Sequence, residues 1–321
     1  MKHSVSAGRK SSPELWRTNR RDLLLAGGLI ATGFALGARR VARAETLMEL
    51  DGRKITTVSD GNLVLPVSFL FPDVEKSELI PFLEANKLGT EALEPELNIT
   101  LVEDSDRKIL FDAGSGSNFM PSAGELPQSL AEAGIDPATI TDVVFTHGHP
   151  DHLWGILDDF DEITFPDANL HFPRVEWEFW NDENTVNLMS EGRESFAIGA
   201  RNRLEAMGER VNLFDAGSEV LPGIEAVDTR GHTPGHTSFV VHGGSQSLMV
   251  VGDALTNHVV SFEKPGWFSG SDQDPQQGVE TRLSLLDRLA GDRIQIIGYH
   301  LPNGGLGRVE KSGDAYRFVQ G

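Results

Sequence analysis

Short runs rich in Val, Ile and Leu, broken by glycine and acidic turns, alternate along the chain with longer stretches of helical spacing. The pattern predicts strands over residues 55–58, 63–71, 98–102 and 108–112, the last two joined across Glu103-Asp104-Ser105-Asp106. A helix over 126–133, stopped at Gly134, leads into a strand over 142–146 and a histidine-rich loop, and a second helix is expected over 195–207. Strands over 238–241 and 247–251 then flank Gly243-Gly244, a helix covers 277–290, and an apolar strand over 293–299 ends at His300. The two halves follow the same strand-then-helix plan, with polar residues where strands stop. Layered α/β folds carry their chemistry at such strand ends, so a site between the halves is expected.

The first 44 residues do not fit this plan. They hold nine basic side chains and two acidic ones, and the basic head ends in Thr18-Asn19-Arg20-Arg21-Asp22-Leu23-Leu24. An apolar stretch to Gly37 and the small-x-small site Ala42-Arg43-Ala44 follow. That order resembles a twin-arginine export signal, so cleavage after Ala44 and a periplasmic or secreted location are expected. The apolar stretch is short of the roughly 20 residues a bilayer span needs, and no later one qualifies, so no stable membrane insertion is expected after cleavage. Residues 45–321 read as a single domain.

Composition narrows the chemistry. The 321 residues contain no cysteine, which removes thiolate metal sites and thiol nucleophiles. Asp plus Glu number 48 against 28 Lys plus Arg, for a net charge of −20. A surface this acidic, without a basic stripe, repels phosphate backbones, so a nucleic-acid partner is not expected.

Three histidines fall in Thr146-His147-Gly148-His149-Pro150-Asp151-His152. His-x-His in extended chain places both rings on one side, and the bend after Pro150 turns Asp151 and His152 another way, so one loop can serve two nearby metals. Gly231-His232-Thr233-Pro234-Gly235-His236-Thr237, Val250-Val251-Gly252-Asp253 and Ile297-Gly298-Tyr299-His300 add ligand types at or near strand ends. Nitrogen and oxygen donors without sulfur suit zinc, with manganese, iron or cobalt also compatible.

These four motifs, in order and spacing over residues 98–300, resemble the metallo-β-lactamase superfamily. The resemblance implies an αββα four-layer sandwich, an α/β fold with a dinuclear site on one edge. It further implies that His147, His149 and His236 hold one metal, that Asp151, His152 and His300 hold the second, and that Asp253 bridges them. Asp151 and Asp253 would be the catalytic carboxylates, orienting a metal-bridging hydroxide. His232 reads as a structural partner in its turn. Stretches 147–156, 172–180, 252–267 and 298–309 further resemble the methyl parathion hydrolase branch.

The expected function is an exported metal-dependent hydrolase of small neutral esters, namely lactones, arylesters or organophosphate triesters. β-Lactam hydrolysis, or iron-based redox chemistry on the same scaffold, are the competing readings. Trp180, Trp267 and Phe268, with His258, are candidates for an apolar substrate pocket, whereas His171 and His242 read as structural or exposed. A homodimer is compatible with the aromatic segments.

Export predicts that the mature protein recovered outside the cytoplasm begins at Glu45, as read by intact mass. A mature chain that retains residues 1–44 excludes the cleavage site.

Overall fold

The computed structural model describes residues 44–190, 192–244 and 246–321. The expected export segment, residues 1–44, lies outside them except for Ala44. Two seven-stranded sheets each run in chain order. The first holds β1 (Ala44–Leu50), β2 (Arg53–Asn62), β3 (Glu96–Glu103), β4 (Lys108–Phe111), β5 (Asp142–Val144), β6 (Asn169–Pro173) and β7 (Val211–Phe214). The second holds β8 (Glu219–Leu221), β9 (Ile224–Asp228), β10 (Thr237–Gly243), β11 (Gln246–Val250), β12 (Gln295–Ile297), β13 (Leu306–Ser312) and β14 (Ala315–Gln320). Pairing is antiparallel from β1 to β4 and parallel from β4 to β7, with Val144 opposite His171. In the second sheet only β11 and β12 run parallel, with Val250 opposite Ile297.

Period-two alternation explains why the central strands read as continuous apolar runs. Ile109, Phe111 and Val144 from the first sheet meet Phe239, Val241, Leu248, Val250 and Ile297 from the second in a shared inter-sheet core. The intervening Leu110 and Val143 face the opposite way, into a core that includes residues of helices α2 (Leu126–Glu132), α3 (Arg174–Asn181) and α4 (Glu194–Met207). Val240, Met249 and Ile296 likewise pack with Leu285, Leu286 and Leu289 of helix α5 (Pro275–Asp292). Strands buried on both faces lose the polar alternation of a half-exposed sheet. The layers are therefore helix, sheet, sheet, helix, the expected αββα sandwich. No helix among the described residues is long and apolar enough to cross a membrane.

Residues 63–71 depart from the expected strand. Only Leu65–Pro66 pairs, with Ala92–Leu93, and Val67–Leu70 forms a helical turn. Pro66 lacks the N–H that would continue a ladder. Val67, Leu70 and Phe71 instead bury against Leu79 and Leu83 of helix α1 (Lys76–Ala85), a helix obscured in the sequence by its internal Pro81.

Asp60, at the end of β2, anchors the loop that runs beside the sheet ends. Its carboxylate accepts the backbone N–H groups of Ser115 at 2.7 Å and Leu126 at 2.8 Å. Burial pushes its pKa up to about 6 from 3.8, although those donors act in the opposite direction. Because the folded pKa exceeds the unfolded one, this group's contribution to stability is complete below about pH 4 and is lost as pH rises through 6. The unfolding free energy of the wild type relative to Asp60→Asn should therefore fall by about 2 kcal/mol between pH 4 and pH 7, as measured by urea titration. A difference that stays flat with pH would overturn this assignment.

Candidate metal centre

The parallel pairs bring several strand ends to one edge of the sandwich. Asp112 follows β4 with φ of 67°, a conformation few non-glycine residues adopt. Its Oδ1 accepts the Thr146 backbone N–H at 2.7 Å, which sets the path of the chain leaving β5. His149 is extended, and the turn Pro150–Leu153 then folds Asp151 and His152 back toward the same edge. From the second sheet, the Thr237 N–H donates to the Thr146 carbonyl at 3.0 Å and clasps the two halves there. Asp253 follows β11 and His300 follows β12.

The result is a compact group of ligand atoms. His147 Nε2 lies 3.0 Å from His149 Nδ1, which lies 2.8 Å from His232 Nε2. On the other side, His152 Nε2 and His300 Nε2 are each 3.5 Å from Asp151 Oδ2. Asp253 sits between: its Oδ1 is 3.2 Å from His152, and its Oδ2 is 3.2 Å from both His232 and His300. Among the described residues, His147–His149–His232, His147–His152–Asp253 and Asp151–His152–His300 are the triplets whose donor atoms converge closely enough for one ion.

Four of these rings use the other nitrogen for an outer partner. His152 Nδ1 donates to Asp112 Oδ2 at 2.8 Å, His232 Nδ1 to Asp272 Oδ1 at 3.0 Å, and His300 Nδ1 to the Glu96 carbonyl at 3.0 Å. His147 Nδ1 meets Thr146 Oγ1 at 2.9 Å. Such partners fix tautomer and ring orientation and leave Nε2 as the free lone pair. Behind the rings, buried Glu176 of α3 accepts the N–H of Gly148 at 3.0 Å and of Gly235 at 2.8 Å, tying together the two histidine loops.

Electrostatics divides the group in two. Burial, reinforced by neighbouring imidazoles, holds His147 and His149 well below their ordinary pKa, so both are neutral donors at pH 7. Burial works the same way on His152, but Asp253, Asp151 and Asp112 overcome it and raise that ring well above the usual range. Burial opposes ionisation of Asp253, yet His300, His152 and His232 hold its pKa well below that of an ordinary carboxylate. Asp151 Oδ2, His152 Nε2 and Asp253 Oδ1 are nevertheless buried without a hydrogen-bond partner. Buried polar atoms left in this state are what a cation would satisfy.

Donor atoms of six of the seven expected ligands fall within these triplets, and the ring of the seventh, His236, lies beside them with its centroid 5.0 Å from that of His147. His236 stands outside every ligand triplet because both its nitrogens are engaged. Nε2 accepts the Asp253 backbone N–H at 2.9 Å, and Nδ1 meets Thr229 Oγ1 at 2.9 Å. Gly252, at φ of 52°, makes that approach feasible, since a Cβ there would lie 2.7 Å from His236 Nε2. His232, read from sequence as structural, brings its Nε2 into the same cluster, 2.8 Å from His149 Nδ1 and 3.2 Å from Asp253 Oδ2. Two histidines four residues apart carry the same local signal, and only the fold distinguishes the one facing Asp272 from the one facing Thr229.

A cavity of about 420 Å³ opens over Asp151, Asp253, His149, His232 and His300, with Phe69, Phe71, Phe196 and Trp267 among its walls. Trp267 is where the sequence suggested. Trp180 is not: it is fully buried, its Nε1–H donating to Glu176, so it supports the loop from behind. His258 and Phe268 do not line the cavity either. Phe69 and Phe71 were hidden in the misread segment 63–71. His171 pairs with Asp142 and His242 with Glu225, both structural as expected.

Fold and site together define a metal-dependent hydrolase. Residues 97–299 match the Metallo-beta-lactamase superfamily, and the chain belongs to it. Metallo-beta-lactamase domain-containing protein 1 of Xenopus laevis is 27% identical over 207 residues, covering 62% of this chain and 70% of that protein. Among solved structures, the hydrolase AbOPH is 26% identical with a TM-score of 0.80, covering 88% of this chain and 98% of its own. AidC, a dizinc quorum-quenching lactonase in complex with a product, shares the fold at 24% identity and a TM-score of 0.83, with the same coverage.

His232→Ala should cost roughly half of the bound metal, because it removes a direct donor. His236→Ala should retain the metal while lowering thermal stability, because it removes the acceptor for Asp253 N–H. Elemental analysis beside thermal unfolding checks both, and the opposite pattern would restore His236 as the ligand.

Proposed function

We propose that the protein is an exported dinuclear metallohydrolase of small neutral esters, chiefly lactones and arylesters, with organophosphate triesters as further substrates. The observation that carries this reading is the set of unpartnered buried donors at the floor of an apolar cavity. His147, His149 and His232 would hold one divalent ion, and Asp151, His152 and His300 the other, with Asp253 shared. Zinc suits this nitrogen and oxygen set first, and manganese, iron and cobalt remain compatible. When bound, such ions supply Lewis acidity that lowers the pKa of water and polarises a scissile carbonyl or phosphoryl oxygen.

The chain's own residues do the rest. Asp253, kept ionised by three imidazoles, keeps the two ligand groups in register. Asp151 faces the cavity with Oδ2 free of hydrogen-bond donors and can carry a proton to the leaving oxygen. Its backbone is fixed by the Tyr299 hydroxyl, which donates to the Asp151 carbonyl at 2.5 Å. The aromatic walls exclude water and accept an apolar acyl or aryl group. The lactonase activity named for AidC and the hydrolase description of AbOPH accord with this substrate class. The likeness of four stretches to the methyl parathion hydrolase branch supports the phosphotriester extension.

The test is elemental analysis of the mature protein beside turnover of an arylester, a lactone, a phosphotriester and a β-lactam. About two divalent ions per chain, activity lost on chelation, and preference for the ester or lactone are expected. Asp253→Ala should lower turnover at least about a hundredfold and release metal. Preferential β-lactam cleavage, or iron with no hydrolysis, would overturn the proposal.

A further inference from the structure

The cavity wall contains three cationic side chains, and two of them have acidic partners. Lys264 Nζ lies 3.3 Å from Glu78, and Arg282 is 3.0 Å from Asp272 while also donating to the carbonyls of Pro265 and Trp267. Arg193 is different. Among the described residues no carboxylate lies within ion-pair distance of it, and its one hydrogen bond, to the Gly270 carbonyl, is long at 3.3 Å.

Its guanidinium is held between two aromatic rings, 5.6 Å from the Phe69 centroid and 5.2 Å from that of Phe196. Both rings line the cavity with Arg193. Burial holds the Arg193 pKa below its ordinary value although Asp151 and Asp272 act in the opposite direction, and the Arg193 charge in turn disfavours protonation of His149. A half-buried guanidinium with five N–H donors and no described carboxylate in ion-pair range is suited to pairing with a planar anion.

Resting on the hydrolase reading above, we propose that Arg193 is the carboxylate-binding residue of this cavity and receives the acid released from a neutral ester or lactone. In that reaction water adds to the acyl carbon, the acyl carbon–oxygen bond breaks, the alcohol oxygen takes a proton, and the new acid ionises. The neutral substrate thus becomes an anion inside the cavity, and Arg193 is the cation of its wall that has no carboxylate of the described residues within ion-pair distance. The acidic exterior repels such an anion, so binding depends on this local charge. The aromatic clamp limits the motion of the guanidinium and lowers the entropic cost of pairing.

Calorimetric titration of the metal-loaded protein with hexanoate and with hexanamide tests this without needing turnover. The two ligands match in length and shape and differ in charge. In Arg193→Met, affinity for hexanoate should fall at least tenfold, while that for hexanamide changes less than threefold. Arg193→Lys, which keeps the charge, should recover at least a third of the hexanoate affinity. Equal losses for both ligands would make Arg193 a packing residue, and unchanged hexanoate binding would assign the anion to the metal ions alone. Either result overturns the proposal. If no ester or lactone is turned over but hexanoate binding still depends on Arg193, the anion site stands and the hydrolase reading falls.

Discussion

Asp253 carries the constraint around which the rest of the molecule is arranged. It is buried and ionised, and three imidazoles approach it within 3.2 Å. A buried carboxylate is costly unless its charge is balanced, and imidazoles that balance it by protonation no longer offer lone pairs. Protons and metal ions therefore compete for the same atoms. Divalent ions satisfy both sides at once, neutralising the carboxylates and occupying the ring nitrogens.

Holding so many ligand atoms together requires a scaffold that does not relax. The rings cannot rotate away, because Asp112, Asp272 and the Glu96 carbonyl hold their outer nitrogens. The loops cannot separate, because Glu176 receives an N–H from each and Thr237 hydrogen-bonds to Thr146 across the sheets. Parallel pairing of β4 with β5 and of β11 with β12 brings the strand ends to one edge. The inter-sheet core of Phe111, Val144, Phe239 and Val250 fixes their spacing. Stability of the sandwich and geometry of the site are therefore one problem.

The cavity inverts the character of the exterior. The chain is strongly acidic overall, whereas among the described residues the cavity is lined by two carboxylates, Asp151 and Asp253, and by Arg193, Lys264 and Arg282. The charge count described the surface and argued against a nucleic-acid partner. The fold sets the local field over the reacting atoms.

Much of this was legible from one dimension. The apolar alternation of 98–112, 238–251 and 293–299 identified buried strands, and His147, His149, Asp151 and His152 announced their chemistry because they are adjacent in sequence. Legibility failed where the deciding contact was remote. His232 and His236 are equivalent in local sequence, and their roles diverge because Asp272 is 40 residues from the first and Asp253 is 17 residues from the second. Trp180 left the expected pocket and Phe69 joined the cavity wall for the same reason: whether an aromatic faces a cavity or a core depends on which helix covers it. Periodicity and residue type thus determined the strands, the polar residues at their ends and the kind of ligand, while the four layers were implied by the family resemblance. Tertiary structure decided which contact each histidine nitrogen makes and which arginine stands clear of the described carboxylates, since both depend on atoms that only packing brings within 3 or 4 Å.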